Sequence, residues 1–215
     1  MRRPIKEETF NAATHGIGFL LSAAATVWMG WRLGQNESIS TATTFACLVY
    51  GLSLMGLYLM STLSHVFTKQ PWHSRFRQLD QAFIYLLIVG TYSPLATMFL
   101  KTGIQWGLFG LLWAIAIFGF VSKIWFSHRV EHVSVAIYVL LGWAPAFIGV
   151  PLGDEGVRIA FYWLAAGGIV YTAGIVFLLK DKRVWYFHAI WHLFVISGSA
   201  IHFYAIANYV LGDGF

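Results

Sequence analysis

Seven long apolar stretches, separated by short polar connections, constrain this chain more than any other feature of its sequence. Each stretch has about the 20 residues that an α-helix needs to cross the hydrocarbon core of a bilayer. Backbone polar groups find no partner in lipid, so stretches of this kind cross as helices. The sequence therefore predicts an all-α, polytopic membrane protein, a bundle of seven transmembrane helices. The predicted spans are 14–33, 43–66, 80–100, 104–126, 132–151, 157–179 and 185–210.

Composition supports a membrane protein and argues against other classes. The chain of 215 residues is 58% hydrophobic and 11% charged, whereas soluble domains carry about 25% charged residues. No connection is long enough to separate two domains, so residues 1–215 are predicted to form one domain. The net charge of +5 is spread between apolar stretches and forms no basic run. A nucleic-acid partner is therefore not expected.

The distribution of Lys and Arg predicts the orientation in the membrane. Cytoplasmic connections of membrane proteins carry an excess of positive residues. If the N-terminus is cytoplasmic, all 14 Lys and Arg residues except Arg32, Lys101 and Arg158 fall on the cytoplasmic side. With seven spans, the C-terminus is then predicted to lie outside.

Five polar or ionisable residues within the predicted spans are candidates for function, because such groups are costly in lipid. Ser61 and His65 lie at the end of span 2, and Asp80 opens span 3. His188 and His192 lie near the start of span 7. In the predicted orientation, all three helix ends are cytoplasmic. Three separate parts of the sequence thus deliver polar groups to one face of the membrane.

The spacing of these residues indicates a metal site. His188 and His192 are four residues apart and share a helix face, and His65 adds a third imidazole from another helix. Three protein ligands with a fourth position open to water are typical of catalytic zinc. Asp80 is placed to orient a histidine or to bind the water. Iron, copper and nickel remain alternatives to zinc, and a hydrogen-bond network tying spans 2, 3 and 7 is the alternative to a metal.

Four further polar residues are predicted to have lesser roles. Glu7, Asn11 and His15 recur every four residues and form one polar stripe leading into span 1. The stripe is interpreted either as a second shell around the histidines or as a solvated start of the helix. His202 lies ten residues beyond His192, roughly 15 Å along a helix, and is predicted not to share the site.

Four stretches of the sequence resemble the hemolysin III family, the bacterial branch of the progestin and adipoQ receptor family. They cover nearly the full chain, in order and with the expected spacings. The stretches are Glu7 to Gly18 (EETFNAATHGIG), Ser61 to His65 (STLSH), Asp80 to Pro94 (DQAFIYLLIVGTYSP) and His188 to His202 (HAIWHLFVISGSAIH).

The resemblance implies a seven-helix fold with a cytoplasmic N-terminus, in the bacterial plasma (inner) membrane. It implies zinc (Zn²⁺) bound by His65, His188 and His192. It also implies that Asp80 contacts the zinc water and that Ser61 lies alongside. The wider superfamily contains alkaline ceramidases and other proposed membrane hydrolases, and a role in membrane energetics or lipid homeostasis has been proposed for bacterial members.

Three functions are compatible with these observations. The favoured one is a zinc-dependent hydrolase of lipid amides or esters near the cytoplasmic leaflet, in which Asp80 acts as general base and Ser61 stabilises the oxyanion. The second is a non-enzymatic sensor or membrane homeostasis protein with a structural zinc. The third is a cytolytic pore, which is disfavoured because spans 4 and 6 have almost no polar face. Membrane lipids are the expected partners, and the sequence does not indicate an oligomeric state.

Overall fold

Seven α-helices and one 3₁₀ turn make up the described part of the chain. The structure, a computed structural model, describes residues 5–126, 131–148 and 153–212. The α-helices are α1 (Ile5–Gln35), α2 (Thr41–Val66), α3 (Trp72–Phe99), α4 (Gly103–Phe126), α5 (Glu131–Trp143), α6 (Glu155–Lys180) and α7 (Phe187–Tyr209), and the 3₁₀ turn at Ala144–Phe147 continues α5.

Six of these helices are long and apolar enough to cross a membrane: α1, α2, α3, α4, α6 and α7. They coincide with six of the predicted spans, so the prediction of an all-helical, polytopic membrane protein is confirmed. The segment predicted as span 5 forms a shorter apolar helix that changes to a 3₁₀ turn at Pro145, because proline lacks the N–H of a regular helix. The last residues of that predicted span, 149–151, lie outside the described residues.

Two helices begin earlier than the hydropathy pattern predicts. α1 begins at Ile5 instead of residue 14, and α3 begins at Trp72 instead of residue 80. Asp80 therefore lies two turns inside α3 rather than opening it, which corrects the prediction. A hydropathy scan stops where polar residues begin, whereas the backbone hydrogen bonds of a helix continue through them.

Neighbouring helices pack side by side, with α2 between α1 and α3, and α7 between α6 and α1. α4 and α5 both pack against α3. Small residues allow close approach: a Cβ on Gly90 of α3 would lie 2.6 Å from the Ser53 hydroxyl of α2. The outer faces carry large apolar side chains, such as Val27 of α1 and Phe118 of α4, which are 74% and 75% exposed. Such exposure suits side chains that face lipid.

Helix ends are fixed by local capping. The Ser40 side chain accepts a hydrogen bond from Thr43 N at the start of α2, and Asp154 accepts one from Val157 N at the start of α6, both at 3.1 Å. These bonds satisfy N–H groups that the first turn of a helix leaves unpaired. They fix where the two helices begin, at the bundle end opposite the histidines described next.

Candidate metal centre

Three histidines that the sequence singled out lie together inside one end of the bundle. His65 comes from the end of α2, and His188 and His192 come from the first two turns of α7. One ligand atom from each lies within 4.8 Å of the others. The ring centroids are 5.1 Å apart for His65 and His188, 5.2 Å for His65 and His192, and 4.5 Å for His188 and His192. These three residues are called the histidine cluster below, and the bundle end that holds them is the histidine end.

Carboxylates orient two of the three imidazoles. His65 Nδ1 lies 2.6 Å from Glu8 Oε2, and His188 Nδ1 lies 2.7 Å from Asp181 Oδ2. An ionised carboxylate only accepts hydrogen bonds, so each imidazole donates from Nδ1. Its Nε2 then carries the lone pair. A histidine that donates from one nitrogen to a carboxylate and binds with the other is the usual arrangement in zinc proteins.

A threonine orients the third imidazole in the same way. The Thr14 hydroxyl donates to the backbone carbonyl of Asn11 at 2.9 Å, and it lies 3.0 Å from His192 Nδ1. Because the hydroxyl proton is already engaged, Thr14 accepts the bond from His192. The hydrogen-bond partners of His192 therefore indicate the same tautomer as in His65 and His188.

The chemistry of this set fits a metal ion. His65 Nε2 is buried and has no hydrogen-bond partner among the described residues. A buried polar atom without a partner costs about 1–3 kcal/mol, and a bound cation removes that cost. Neutral imidazoles suit zinc, copper, iron and nickel. Three such ligands leave a fourth coordination position for water or a substrate. The histidine cluster could therefore hold a metal ion.

Asp80 and Ser61 line the same cavity as the histidine cluster. Ser61 is 1% exposed, one helical turn before His65 on α2. Asp80 of α3 is partly buried and lies close to the hydroxyls of Ser61 and Ser64 and to the His65 ring. The Ser61 hydroxyl nevertheless makes no hydrogen bond of standard geometry within the described chain. The structure thus brings all five predicted residues to one cavity.

The polar stripe of α1 is buried. Glu7, Asn11 and His15 are 3%, 0% and 3% exposed, so the interpretation as a solvated start of the helix is wrong. His15 stacks on His192 with ring centroids 3.5 Å apart, and it meets the edge of Tyr58 at 5.1 Å. Asn11 supports the cluster through its backbone carbonyl, which holds Thr14. Of the three side chains, His15 is the one with a described contact to the cluster.

Four residues of this region were not found from the sequence: Glu8, Thr14, Asp181 and Lys123. Glu8 and Asp181 lie among other charged residues and resemble ordinary loop charges. Thr14 lies at the predicted start of a span. Lys123 was counted among the charges that orient the protein, yet it is 2% exposed and donates to Gln81 Oε1 at 3.0 Å. The sequence held one clue to Glu8 and Thr14: Glu8 directly follows Glu7, and Thr14 directly precedes His15, both of which belong to the polar stripe.

A cavity of about 290 Å³ extends from the histidine cluster between the helices. Its inner wall is largely apolar and includes Ile84, Leu87, Val139 and Ile175. His202 also borders the cavity, and its Nε2 lies 3.0 Å from the backbone carbonyl of Leu164. His202 is outside the histidine cluster, as its position along α7 predicted.

These features define a multi-pass helical membrane protein that could hold a metal ion inside one end. The family described as Haemolysin-III related matches residues 4–203, and the chain belongs to that family. It is 39% identical over 211 residues to Hemolysin-3 of Bacillus cereus, covering 98% of this chain and 95% of that protein. It is 37% identical over 205 residues to the Hemolysin-3 homolog of Bacillus subtilis (strain 168), covering 95% of each.

The similarity extends to mammals. The chain is 29% identical over 214 residues to the monocyte to macrophage differentiation factor of Homo sapiens, covering 95% of this chain and 84% of that protein. The predicted relationship to the progestin and adipoQ receptor family is therefore confirmed.

Proposed function

We propose that the protein is a zinc-dependent hydrolase of lipid amide or ester bonds, acting near the cytoplasmic leaflet of the bacterial inner membrane. The observation that carries this proposal is the histidine cluster itself. Its three imidazoles are oriented through Nδ1, and the buried Nε2 of His65 lacks a protein partner. Asp80 and Ser61 line the same cavity, whose inner part is apolar.

The topology in this proposal has seven crossings, a cytoplasmic N-terminus and an external C-terminus, with the whole chain forming one domain. Successive helices run in opposite directions through the bundle, and this alternation supports the proposed topology. Near the histidine end, the cavity is lined by residues from the start of α1, the end of α2, the first half of α3 and the ends of α4 and α6. α5 supports a seventh crossing, since Tyr138 donates to the Gln81 carbonyl while Ile148 packs beside Leu100 and Phe109. The distribution of Lys and Arg favours the cytoplasm for the histidine end.

The residues around the cluster have the chemistry that hydrolysis needs. When bound, zinc supplies a Lewis acid and lowers the pKa of its water towards neutrality. Asp80 accepts the proton of the attacking water as general base. Ser61, whose hydroxyl lies close to Asp80 in the same cavity, donates to the carbonyl oxygen as negative charge develops. His65, His188 and His192 hold the ion.

The surroundings of the cluster support a lipid as substrate. The scissile carbonyl lies beside the histidines, and the acyl chain extends between apolar side chains such as Leu87 and Ile175. Glu7, Asn11 and His15 form a second shell in this proposal. His15 fixes the plane of the His192 ring by stacking, and Asn11 holds Thr14 through its carbonyl.

A non-enzymatic sensor or homeostasis protein with a structural zinc is the second candidate. One observation favours it: the partners of the three imidazoles link α1, α2 and α7 with the residue that follows α6. A bound ion would then lock four parts of the bundle together. A cytolytic pore receives less support, because a water-filled path needs a polar face along several helices and α4 and α6 have almost none.

Substituting Asp80 separates the two candidates. In the hydrolase, Asp80→Asn removes the base but no ligand, so zinc content should stay at the wild-type value while turnover falls about 10²- to 10⁴-fold. The measurement is release of labelled acyl chain from lipid amides and esters by protein reconstituted in vesicles. Glu37→Gln, an exposed carboxylate in the connection between α1 and α2, is the matched control and should keep full turnover. Equal turnover in Asp80→Asn and wild type would rule out this mechanism.

A further inference from the structure

Lys123 is a buried cation in the wall of the cavity. It lies in the last turn of α4, where a positive charge is favourable to the helix dipole. A residue serving only the dipole would extend to water, as long basic side chains near the membrane surface usually do. Lys123 instead turns inward, is 2% exposed and donates to Gln81 Oε1 of α3 at 3.0 Å.

The Gln81 contact holds the ammonium group in the cavity wall beside α3. Gln81 follows Asp80 directly, and Tyr138 of α5 holds its backbone carbonyl at 2.8 Å. Arg77 lies one turn earlier on the same face of α3 and is close enough to Asp80 to interact with it electrostatically. Two basic residues, Arg77 of α3 and Lys123 of α4, therefore line the cavity where these two helices meet.

The charges along the cavity wall favour a negatively charged ligand. Among the described lining residues, the cations are Arg77, Lys123 and Lys182. The carboxylates are Glu8, Asp80 and Asp181, equal in number to the cations, and Glu8 and Asp181 each accept a bond from a histidine. Once a divalent metal is bound, the positive charges outnumber the negative ones, and a cleft with this balance concentrates anions.

We propose that Lys123, with Arg77 and Lys182, forms a subsite for an oxyanion carried by the lipid in the cavity. The inference rests on the proposed function and narrows its substrate to acidic lipids, with a phosphate or carboxylate close to the scissile bond. An ammonium group binds such oxyanions as a compact point charge. Neutral lipids that lack the oxyanion are poorer ligands.

Binding to purified protein tests the subsite without requiring turnover. The probes are dihexanoyl phosphatidate, which carries the oxyanion, and dihexanoylglycerol, which has the same acyl chains without it. Affinities are measured by native mass spectrometry in detergent. Wild type should bind the phosphatidate at least about tenfold more tightly, the size of one charge-assisted hydrogen bond. The preference should disappear in Lys123→Met and persist in Lys123→Arg.

If Lys123→Met does not fold, two lysines near the end of α6 provide a second test. Lys182 lines the cavity and Lys180 does not, although both are exposed. Lys182→Gln should weaken phosphatidate binding severalfold, whereas Lys180→Gln should leave it unchanged. Equal effects in this pair would contradict the subsite.

Two other results would overturn the proposal: equal affinity of wild type for both probes, or an undiminished preference in folded Lys123→Met. Inorganic phosphate separates the sources of the oxyanion. Competition by millimolar phosphate would show that a free anion suffices, contrary to a subsite for lipid, and lack of competition supports the lipid-borne group. Since none of these readouts needs hydrolysis, loss of the preference and loss of the enzymatic function are distinguishable.

Discussion

Two sets of polar side chains lie inside the helix bundle, and they differ in how their hydrogen bonds are completed. The histidine cluster lies at the histidine end and lines the cavity. Deeper in the bundle lies a second set, here called the tyrosine network, made of Tyr58, Tyr171, Ser199 and His202. Tyr58 donates to the Ser199 hydroxyl at 2.8 Å, Tyr171 lies 2.6 Å from the same hydroxyl, and His202 Nε2 bonds a backbone carbonyl.

The difference separates a structural role from a ligand-binding one. The hydroxyls of the tyrosine network and His202 Nε2 find partners within the protein, so the network joins α2, α6 and α7 without help from a ligand. In the histidine cluster, each imidazole has a partner at Nδ1, while the buried Nε2 of His65 has none among the described residues. Polar side chains in a membrane interior can thus serve as helix contacts or as half of a binding site. A buried polar atom without a protein partner indicates the binding role.

The largest expected effect is loss of metal binding when a cluster histidine is removed. His65→Ala should weaken zinc affinity by more than about 100-fold, beyond what loss of an outer partner costs, because a direct ligand is lost. His202→Ala, which removes a histidine of the tyrosine network, should leave the affinity at its wild-type value. Competition titration with a zinc indicator gives both numbers. Equal losses of zinc affinity in the two variants would show that the histidine cluster and the tyrosine network do not differ in metal binding.

A smaller effect is expected from the carboxylates behind the histidines. Asp181→Asn no longer offers a charged acceptor to His188 Nδ1, so zinc affinity should fall about 10- to 100-fold. Glu37→Gln again serves as control, with no change in affinity. The same indicator titration applies. If Asp181→Asn bound zinc as tightly as wild type, the Asp181–His188 hydrogen bond would have no part in metal binding.

The smallest effect belongs to the tyrosine network. Tyr171→Phe removes one hydroxyl from the bond to Ser199 and should lower the free energy of unfolding by about 1 kcal/mol. Zinc affinity should not change. Thermal unfolding in detergent, followed beside the indicator titration, measures both quantities. A marked loss of zinc in folded Tyr171→Phe would show that the two sets are coupled rather than separate.

The sequence predicted the elements of the fold that depend on hydropathy and the residues of the site that depend on helical spacing. Six spans follow from apolar length, and His188 and His192 follow from a separation of four residues. His65 was grouped with these two because the predicted topology puts the end of span 2 and the start of span 7 on the same face of the membrane. The early start of α1 was missed, because Glu7, Glu8 and Asn11 are polar and a hydropathy pattern excludes them from a span.

The partners of the histidines could not be predicted, because they depend on contacts between distant parts of the chain. Thr14 and His192 are 178 residues apart, and Glu8 and His65 are 57 apart. Asp181 lies in a short charged connection between Lys180 and Lys182, and nothing in the sequence distinguishes it from an ordinary loop charge. Lys123 was assigned to the cytoplasmic surface by the charge rule, and only packing of α4 against α3 shows that its ammonium group turns inward.

Metal content is the measurement that tests the central claim most directly. Detergent-purified wild-type protein is analysed by elemental mass spectrometry beside the double variant His188→Ala, His192→Ala. The account predicts about one zinc per chain in wild type and essentially none in the variant. Folded wild type that holds no metal, even after zinc is supplied, would contradict the account and leave the histidine cluster as a second hydrogen-bonded helix contact.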